Sequence, residues 1–463
     1  MRMPVSGRAV KAVGEVARLF GTDGIRALAG GDILTPELAL ALAGTAGARV
    51  LAAQRSAGKG DRPRVVIGRD TRPSGPMLEA AAVAGFTAAG CDVTLLGVVP
   101  TPVVAHATAR WEAVLGLAIT ASHNPMADNG LKLFADGGRK LPDDVEDSLE
   151  VGLRSPFGRA TGTAVGRIDR TDRVAAYVAD LLASVGDLAG LHVVVDGAQG
   201  AASTLAPQVY RQAGARVTAI HCEGRGELIN QGCGATHPES LATAVVEHGA
   251  DLGIAHDGDA DRCIVVDAAG RVLSGDQVLG LLALARRDAG LPAGNVLVAT
   301  VMSNLGLIQA MAAHGIEVVR TAVGDRYVLE AMTAGGHRLG GEQSGHVILL
   351  DHATTGDGLL TALQVMDRVV RTGRTVADLA DVVTLLPQVL VNVRVDRVRA
   401  SAPEVLDAVA AEQAGLAGQG RVLLRPSGTE ALVRVMVEAP TGPQARAVAD
   451  RLARVVEQAR TTR

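Results

Sequence analysis

Four short stretches carry the side chains that chemistry needs. The first is Thr120-Ala-Ser-His-Asn-Pro125. Ser122 offers a hydroxyl nucleophile, His123 and Asn124 offer polar partners, and Pro125 stiffens the turn. Lys132 follows ten residues after Ser122. The bland alternative is an ordinary Ser/Asn/Pro turn. The second stretch is Asp257-Gly-Asp-Ala-Asp-Arg262, in which three carboxylates alternate within five residues. Fully extended, they share one face at steps of roughly 6.6 Å. Oxygen ligands of one magnesium ion lie within about 4.2 Å of each other. The segment must therefore curl to hold one cation, and Gly258 permits a curl. Without a cation the three anions repel, and the alternative is a solvated acidic turn. An EF-hand is disfavoured, because Arg262 stands where its glycine belongs and no flanking helix pair is evident. All-oxygen donors point to a hard cation and away from zinc. Arg262 is a candidate for a phosphate oxygen beside it.

The third stretch is Gly340-Gly-Glu-Gln-Ser-Gly-His346, where Glu342 and Ser344 point the same way if extended. They suit sugar hydroxyls or an amine; the alternative is a strand-entry turn. The fourth is Arg425-Pro-Ser-Gly-Thr-Glu430, with Arg434 further along. Hydroxyl–Gly–hydroxyl turns form nests of N–H donors for anions, and arginine adds charge-assisted bonds. The same residues also read as a hairpin loop. Taken together, a nucleophile, an acidic loop, a sugar-type loop and a phosphate nest fit phosphoryl transfer on a phosphorylated polyol. A Ser-His-Asp hydrolase fits less well without a G-x-S-x-G elbow. A kinase fits poorly without a G-x-x-x-x-G-K-[ST] loop.

The elements that must position these loops follow a repeating rhythm. Short apolar runs at 64–68, 92–96 and 113–120 read as strands, with a helix over 77–89. The rhythm restarts at 191–196, with helices near 201–212 and 238–248 and a strand at 217–221. A third start spans 296–301, a helix at 305–314 and a strand at 316–320. Strands alternating with helices of this length predict βαβ units and mainly parallel sheets. The tail reads strand, helix, strand, strand, helix at 388–396, 403–414, 421–424, 432–438 and 444–460, a small α+β domain. We expect domains at 1–165, 166–270, 271–384 and 385–463 around a cleft.

Composition narrows the function classes. With 463 residues, several domains are expected. The 45 Lys+Arg nearly balance 49 Asp+Glu, and only eight aromatics occur, so a nucleic-acid binder is disfavoured. The four cysteines are scattered without a C-x-x-C pair, which suits a reducing cytoplasm. No apolar run is long enough to span a bilayer, and no signal-peptide pattern opens the chain. Only four lysines stand against 41 arginines, which makes each lysine worth inspecting.

In order and spacing, over nearly the whole chain, the loops resemble those of the α-D-phosphohexomutase superfamily. The diagnostic stretches are Phe20-Gly-Thr-Asp-Gly-Ile-Arg26, Ala121-Ser-His-Asn-Pro125, Val323-Gly-Asp-Arg-Tyr-Val328 and Gly341-Glu-Gln-Ser-Gly-His346. Gln343 and the 323–328 stretch make the amino-sugar branch the better match. The resemblance implies three α/β domains and one α+β domain around a central cleft. It implies interconversion of glucosamine 6-phosphate and glucosamine 1-phosphate, through phosphoserine at Ser122 and glucosamine 1,6-bisphosphate, to supply UDP-N-acetylglucosamine and peptidoglycan precursors. It implies one Mg²⁺ held by Asp257, Asp259, Asp261 and an oxygen on Ser122. Arg26, His123 and Lys132 match positions near the reacting phosphate. Arg262, Glu342, Ser344 and His346 match substrate contacts, and Arg425, Ser427, Gly428, Thr429 and Arg434 match the distal phosphate site. The alternatives are a phosphomannomutase/phosphoglucomutase, a non-catalytic sugar-phosphate sensor and a magnesium phosphatase. The expected partner is a small sugar phosphate, with no nucleic acid and no membrane, in the cytoplasm; a homodimer is the oligomer considered. Ala260 stands where many relatives have glycine, tolerable if its φ is negative. Residues 1–16 are expected to be mobile or interface-forming, without a catalytic part.

Overall fold

A computed structural model describes residues 18–21, 23–58, 62–111, 113–170, 174–426 and 431–459. The 1–16 segment lies outside the described residues. Four sheets form, of seven, five, four and three strands. The first three share one plan. In the first, Arg64–Arg69 is central, with Asp92–Val98 parallel on one side and Leu115–Ile119 parallel on the other. Asp128–Ala135 then returns antiparallel beside Leu115–Ile119. In the second, His192–Asp196 is central, Arg216–Ile220 and Leu252–His256 flank it in parallel, and Cys263–Asp267 returns antiparallel. In the third, Val296–Thr300 is central between Glu317–Thr321 and Leu339–Gly341, and Val347–Leu349 returns antiparallel.

The expectation of mainly parallel sheets therefore holds for the inner strands and fails at the fourth. The reason is the short link: a loop of about eight residues or fewer allows only a hairpin return, whereas a parallel strand needs a longer crossover. This shared hairpin carries three of the four candidate loops. The link between third and fourth strands is the Ser122 loop in the first unit, the Asp257–Arg262 loop in the second and the Glu342–His346 loop in the third. The first sheet also continues past residue 165, because Ile168–Arg170 pairs with Asp92–Val98.

Strand composition explains the layers. His192–Asp196 and Leu252–His256 are buried along their whole length, as continuous apolar runs demand when both faces are covered. The helices start and stop on local signals. Ser274 and Gln277 form a reciprocal capping box on Gly275–Asp288. Asp357 caps Gly358–Thr372, which ends at Gly373 with φ +63°. One apolar core runs through all three α/β units, from Val66 to Val383. The last unit has its own core, between Val393 and Ala459. Its sheet places Val433–Glu438 between Gln388–Val393 and Arg421–Pro426, all antiparallel. Among the described residues, no helix is long and apolar enough to cross a membrane.

A buried ion pair joins this last unit to the third. Arg421 Nη2 lies 2.9 Å from Glu438 Oε1, and the same guanidinium donates to the carbonyls of Val301 at 3.0 Å and Ser303 at 2.8 Å. Glu438 in turn accepts from the Leu305 N–H at 3.0 Å. Removing one partner strands a buried charge. Arg421→Met should lower the unfolding free energy by about 3–5 kcal/mol, read by urea denaturation followed by circular dichroism; an unchanged midpoint would refute the assignment.

Candidate active site

Ser122 sits just past Leu115–Ile119 in the left-handed region, with φ +51°, and is fully buried. That conformation costs energy for any residue with a Cβ, so the surroundings must hold it. Arg72 does so from beneath, with all its N–H groups engaged. Its Nε donates to Asp70 Oδ2 at 2.9 Å. Its Nη2 donates to the carbonyls of Ser122 at 3.0 Å and Asn124 at 2.8 Å, and its Nη1 to those of Asp128 at 3.0 Å and Pro125. From the second unit, Asn230 Nδ2 donates to the same Ser122 carbonyl at 2.8 Å. The serine backbone is thus pinned from two domains.

The acidic loop meets Ser122 directly. Ser122 Oγ donates to Asp257 Oδ2 at 2.6 Å, and His123 Nδ1 lies 3.3 Å from Oγ. Asp257, Asp259 and Asp261 bring oxygens within 4.8 Å of one another. The segment curls so that the three carboxylates converge, and Ala260 turns it with φ +56°. The negative φ under which a methyl would be tolerated freely is therefore not adopted; the buried methyl packs into the shared core, which offsets the strain. Gly258 is needed for closeness: a Cβ there would lie 2.5 Å from the Ser122 carbonyl oxygen. Thr101 Oγ1 donates to Asp259 Oδ2 at 2.7 Å, a partner that sequence reading missed.

Buried carboxylates need positive charge nearby. Lys132 Nζ lies 2.8 Å from Asp259, 3.3 Å from Asp261 and 2.8 Å from Asp23. Arg26 pairs with Asp23 and reaches the Ala121 carbonyl at 3.5 Å. Arg262 Nε lies 3.8 Å from Asp257 and 3.9 Å from Asp261. His346 Nδ1 lies 3.6 Å from Asp261. Asp23, inside the Phe20–Arg26 stretch, was legible as motif but not as partner. The environment splits the titrations. Burial, then the charges of Asp261 and Asp259, pushes Asp257 up to about 8. Burial would also raise Asp261, but Lys132 and His346 outweigh it and hold it well below the usual range. Burial, Arg262 and Arg26 bring His123 down to about 4, a neutral imidazole at pH 7. Burial opposes charge on His346 too, yet Asp261 and Asp325 lift it to about 9.

Buried polar atoms without a hydrogen-bond partner gather at this spot. They include Asp259 Oδ1, Asp261 Oδ1, Arg26 Nε, Arg262 Nε and Ser344 Oγ. Orphaned carboxylate oxygens in an all-oxygen triad fit a hard divalent cation, and the unpartnered N–H groups fit an anion. A second cluster, Asp196, His221 and Cys233, reads differently. Asp196 already accepts from Ala198 N at 2.8 Å, Gly234 N at 2.9 Å and His221 Nδ1 at 3.0 Å, so it braces loops.

The third loop joins the second by backbone: Arg262 bridges His346, and Cys263 N donates to the Gly345 carbonyl at 3.0 Å. Glu342 Oε1 accepts from Gly324 N at 3.0 Å. Glu342 and Ser344 line a cavity of about 240 Å³ together with Arg425 and Arg434 of the last unit. Four sequence-derived candidates thereby share one space. Ser427, Gly428 and Thr429 lie outside the described residues.

Comparison with known proteins bears on this geometry. Domains I, II, III and the C-terminal domain of phosphoglucomutase/phosphomannomutase match residues 17–155, 175–270, 274–385 and 390–455. The chain belongs to that family. Phosphoglucosamine mutase of Frankia alni is 58% identical over 451 residues, covering 96% of this chain and 99% of the relative. That of Acidothermus cellulolyticus is 57% identical over 461 residues, covering 98% and 99%. A phosphoglucomutase/phosphomannomutase family protein from Burkholderia thailandensis superposes with a TM-score of 0.80 at 24% identity, over 96% of this chain and 98% of that one. Aspergillus fumigatus N-acetylphosphoglucosamine mutase, solved with GlcNAc-6P and magnesium, gives 0.65 at 17% identity, covering 95% of each chain. These two likenesses concern the fold. For a phosphohexomutase built this way, Gly258→Ala should push the acidic loop off Ser122. A misplacement of about 1 Å costs on the order of 10²-fold in kcat; steady-state turnover of the folded variant checks this, and wild-type turnover would contradict it.

Proposed function

We propose that this chain interconverts glucosamine 6-phosphate and glucosamine 1-phosphate, with Ser122 as the carrier of the phosphoryl group. The observation that carries the reading is the contact between Ser122 Oγ and Asp257, at 2.6 Å, beside a carboxylate triad with orphaned oxygens. The relatives bearing the phosphoglucosamine mutase name support the substrate class. The products feed UDP-N-acetylglucosamine and peptidoglycan precursor synthesis.

Asp257, Asp259, Asp261 and a phosphoserine oxygen would hold one Mg²⁺, which, when bound, neutralises charge that develops on the transferring group. The chain's own residues do the rest. The 1-hydroxyl of the sugar attacks phosphorus, a new O–P bond forms and the Ser122 Oγ–P bond breaks. The hydroxyl proton passes to the neutral imidazole of His123, whose Nδ1 lies 3.3 Å from Ser122 Oγ, and from there to the departing Oγ. The sugar, now a 1,6-bisphosphate, turns around and returns its 6-phosphate to Ser122. Arg26, His123 and Lys132 surround the reacting phosphate. Arg262 and His346 take part in substrate contact, and Glu342 and Ser344 face the sugar. Arg425, Arg434 and the 427–429 stretch grip the distal phosphate, a handle common to both orientations. The units at 1–165, 166–270, 271–384 and 385–463 divide these tasks.

Ser122→Ala removes the carrier and should lose at least ~10³-fold in kcat. Intact mass of wild-type protein should include a species about 80 Da heavier, mapping to Ser122; near-normal turnover of the variant would end the covalent relay. Comparing kcat/KM for glucosamine 6-phosphate and glucose 6-phosphate, with a trace of bisphosphate, tests the substrate. A preference for the amino sugar is expected, and a preference for glucose would favour a phosphomannomutase/phosphoglucomutase.

A further inference from the structure

Among the described lysines, Lys132 is buried and Lys140 nearly so, and only Lys132 has a place in the reaction above. Lys140 is the other. It lies on the two-residue strand Arg139–Lys140, beside Phe134 and Ala135, and its side chain is 10% exposed. Burying an ammonium is unfavourable unless anions compensate. Lys140 Nζ has two: Asp23 Oδ1 from its own unit and Asp325 Oδ2 from the third. Each anion leads on to a residue of the site. Asp23 Oδ2 lies 2.8 Å from Lys132 Nζ. Asp325 Oδ2 lies 3.3 Å from His346 Nε2. His346 Nδ1 is 3.6 Å from Asp261 Oδ1, and Asp261 Oδ2 is 3.3 Å from Lys132 Nζ. The contacts close a ring: Lys132, Asp23, Lys140, Asp325, His346, Asp261. Basic and acidic side chains alternate throughout, three against three, and the ring crosses all three α/β units.

We propose that Lys140 and Asp325 are positioning residues that fix Lys132 and His346 at the phosphoryl-transfer site by closing this ring. The inference rests on the phosphoserine mutase reading and deepens it. Two features support a positioning role. Of the three carboxylates touching Lys132, two belong to the acidic triad, so a dication there would draw on them. Asp23 is the anion that remains for Lys132, and Lys140 holds the opposite oxygen of Asp23. Second, Asp325 opens the helix Asp325–Gly335, and the preceding Gly324 N–H is the donor to Glu342 at 3.0 Å. The Lys140–Asp325 contact therefore ties the Ser122 side of the cleft to the sugar-facing loop. Neither residue touches the reacting atoms.

The test is a cycle of Lys140→Met, the isosteric Asp325→Asn and the double variant, each read by kcat, KM and melting temperature, with wild type and Ser122→Ala alongside. Each single variant should lose about 10- to 100-fold in kcat with KM within about 3-fold, since the lost element is alignment at the reacting centre. The double variant should be no worse than the worse single one, because the pair acts as a unit. Single variants within about 2-fold of wild type, or a double loss equal to the product of the single losses, would overturn the ring while leaving the mutase reading intact. If the wild type shows no mutase turnover, that reading fails by itself. The ring is then judged on melting alone: coupled shifts uphold the Lys140–Asp325 pairing but not its catalytic purpose, which falls with the reading, and additive shifts overturn both.

Discussion

Carboxylates removed from water must be neutralised, and this constraint organises the molecule. Asp23, Asp257, Asp259 and Asp261 are all buried or nearly so in one small volume. Mutual repulsion would drive such a group apart or force protons onto it, as the upward shift of Asp257 illustrates. Lys132, Arg26, Arg262 and His346 supply the opposing charge from separate segments. No one segment carries enough cations to balance the acidic loop, so the balance exists only when distant parts of the chain are assembled. Charge compensation and domain assembly are one requirement here.

The architecture meets it by repetition. Three units repeat the same strand plan, and each places its working loop at the same hairpin, between third and fourth strands. Each hairpin contains one residue with positive φ: Ser122 at +51°, Ala260 at +56° and Gly345 at +88°. The loops then abut backbone to backbone, as the Gly258 approach to Ser122 and the Arg262–His346 bridge demonstrate. One backbone device thus delivers a hydroxyl, a carboxylate triad and the Glu342–Ser344 pair to neighbouring positions.

Much of this was legible in the residues themselves. Buried strands announce themselves as apolar runs, and the four loops stood out because unusual polar groups crowd beside glycine. The observed strands Arg64–Arg69, His192–Asp196 and Val296–Thr300 lie within a residue or two of the expected ones. What stayed hidden depends on tertiary contact. The antiparallel fourth strands follow from link length, a property that an apolar run does not display. Ala260 adopts a positive φ because the loop must curl inward, not because alanine prefers it. Asp23, Thr101, Arg72 and Asn230 matter through what they touch across 50 to 158 positions of sequence, and no local spacing encodes such partners. The apolar core that runs through all three α/β units, and the separate core of the last unit, are likewise facts of packing.

That separate core at the C-terminal end has a consequence for adaptation. The described residues of 388–459 contribute Arg425 and Arg434 to the shared cavity, and none of them is a hydrogen-bond partner of Ser122. One wall of the ligand cavity therefore belongs to a different body from the Ser122 centre. Mutation can retune the grip on a ligand in the outer body while the inner body keeps its chemistry untouched. A lineage of such proteins is free to tighten or loosen its hold on a ligand by altering its roof, with the floor inherited whole.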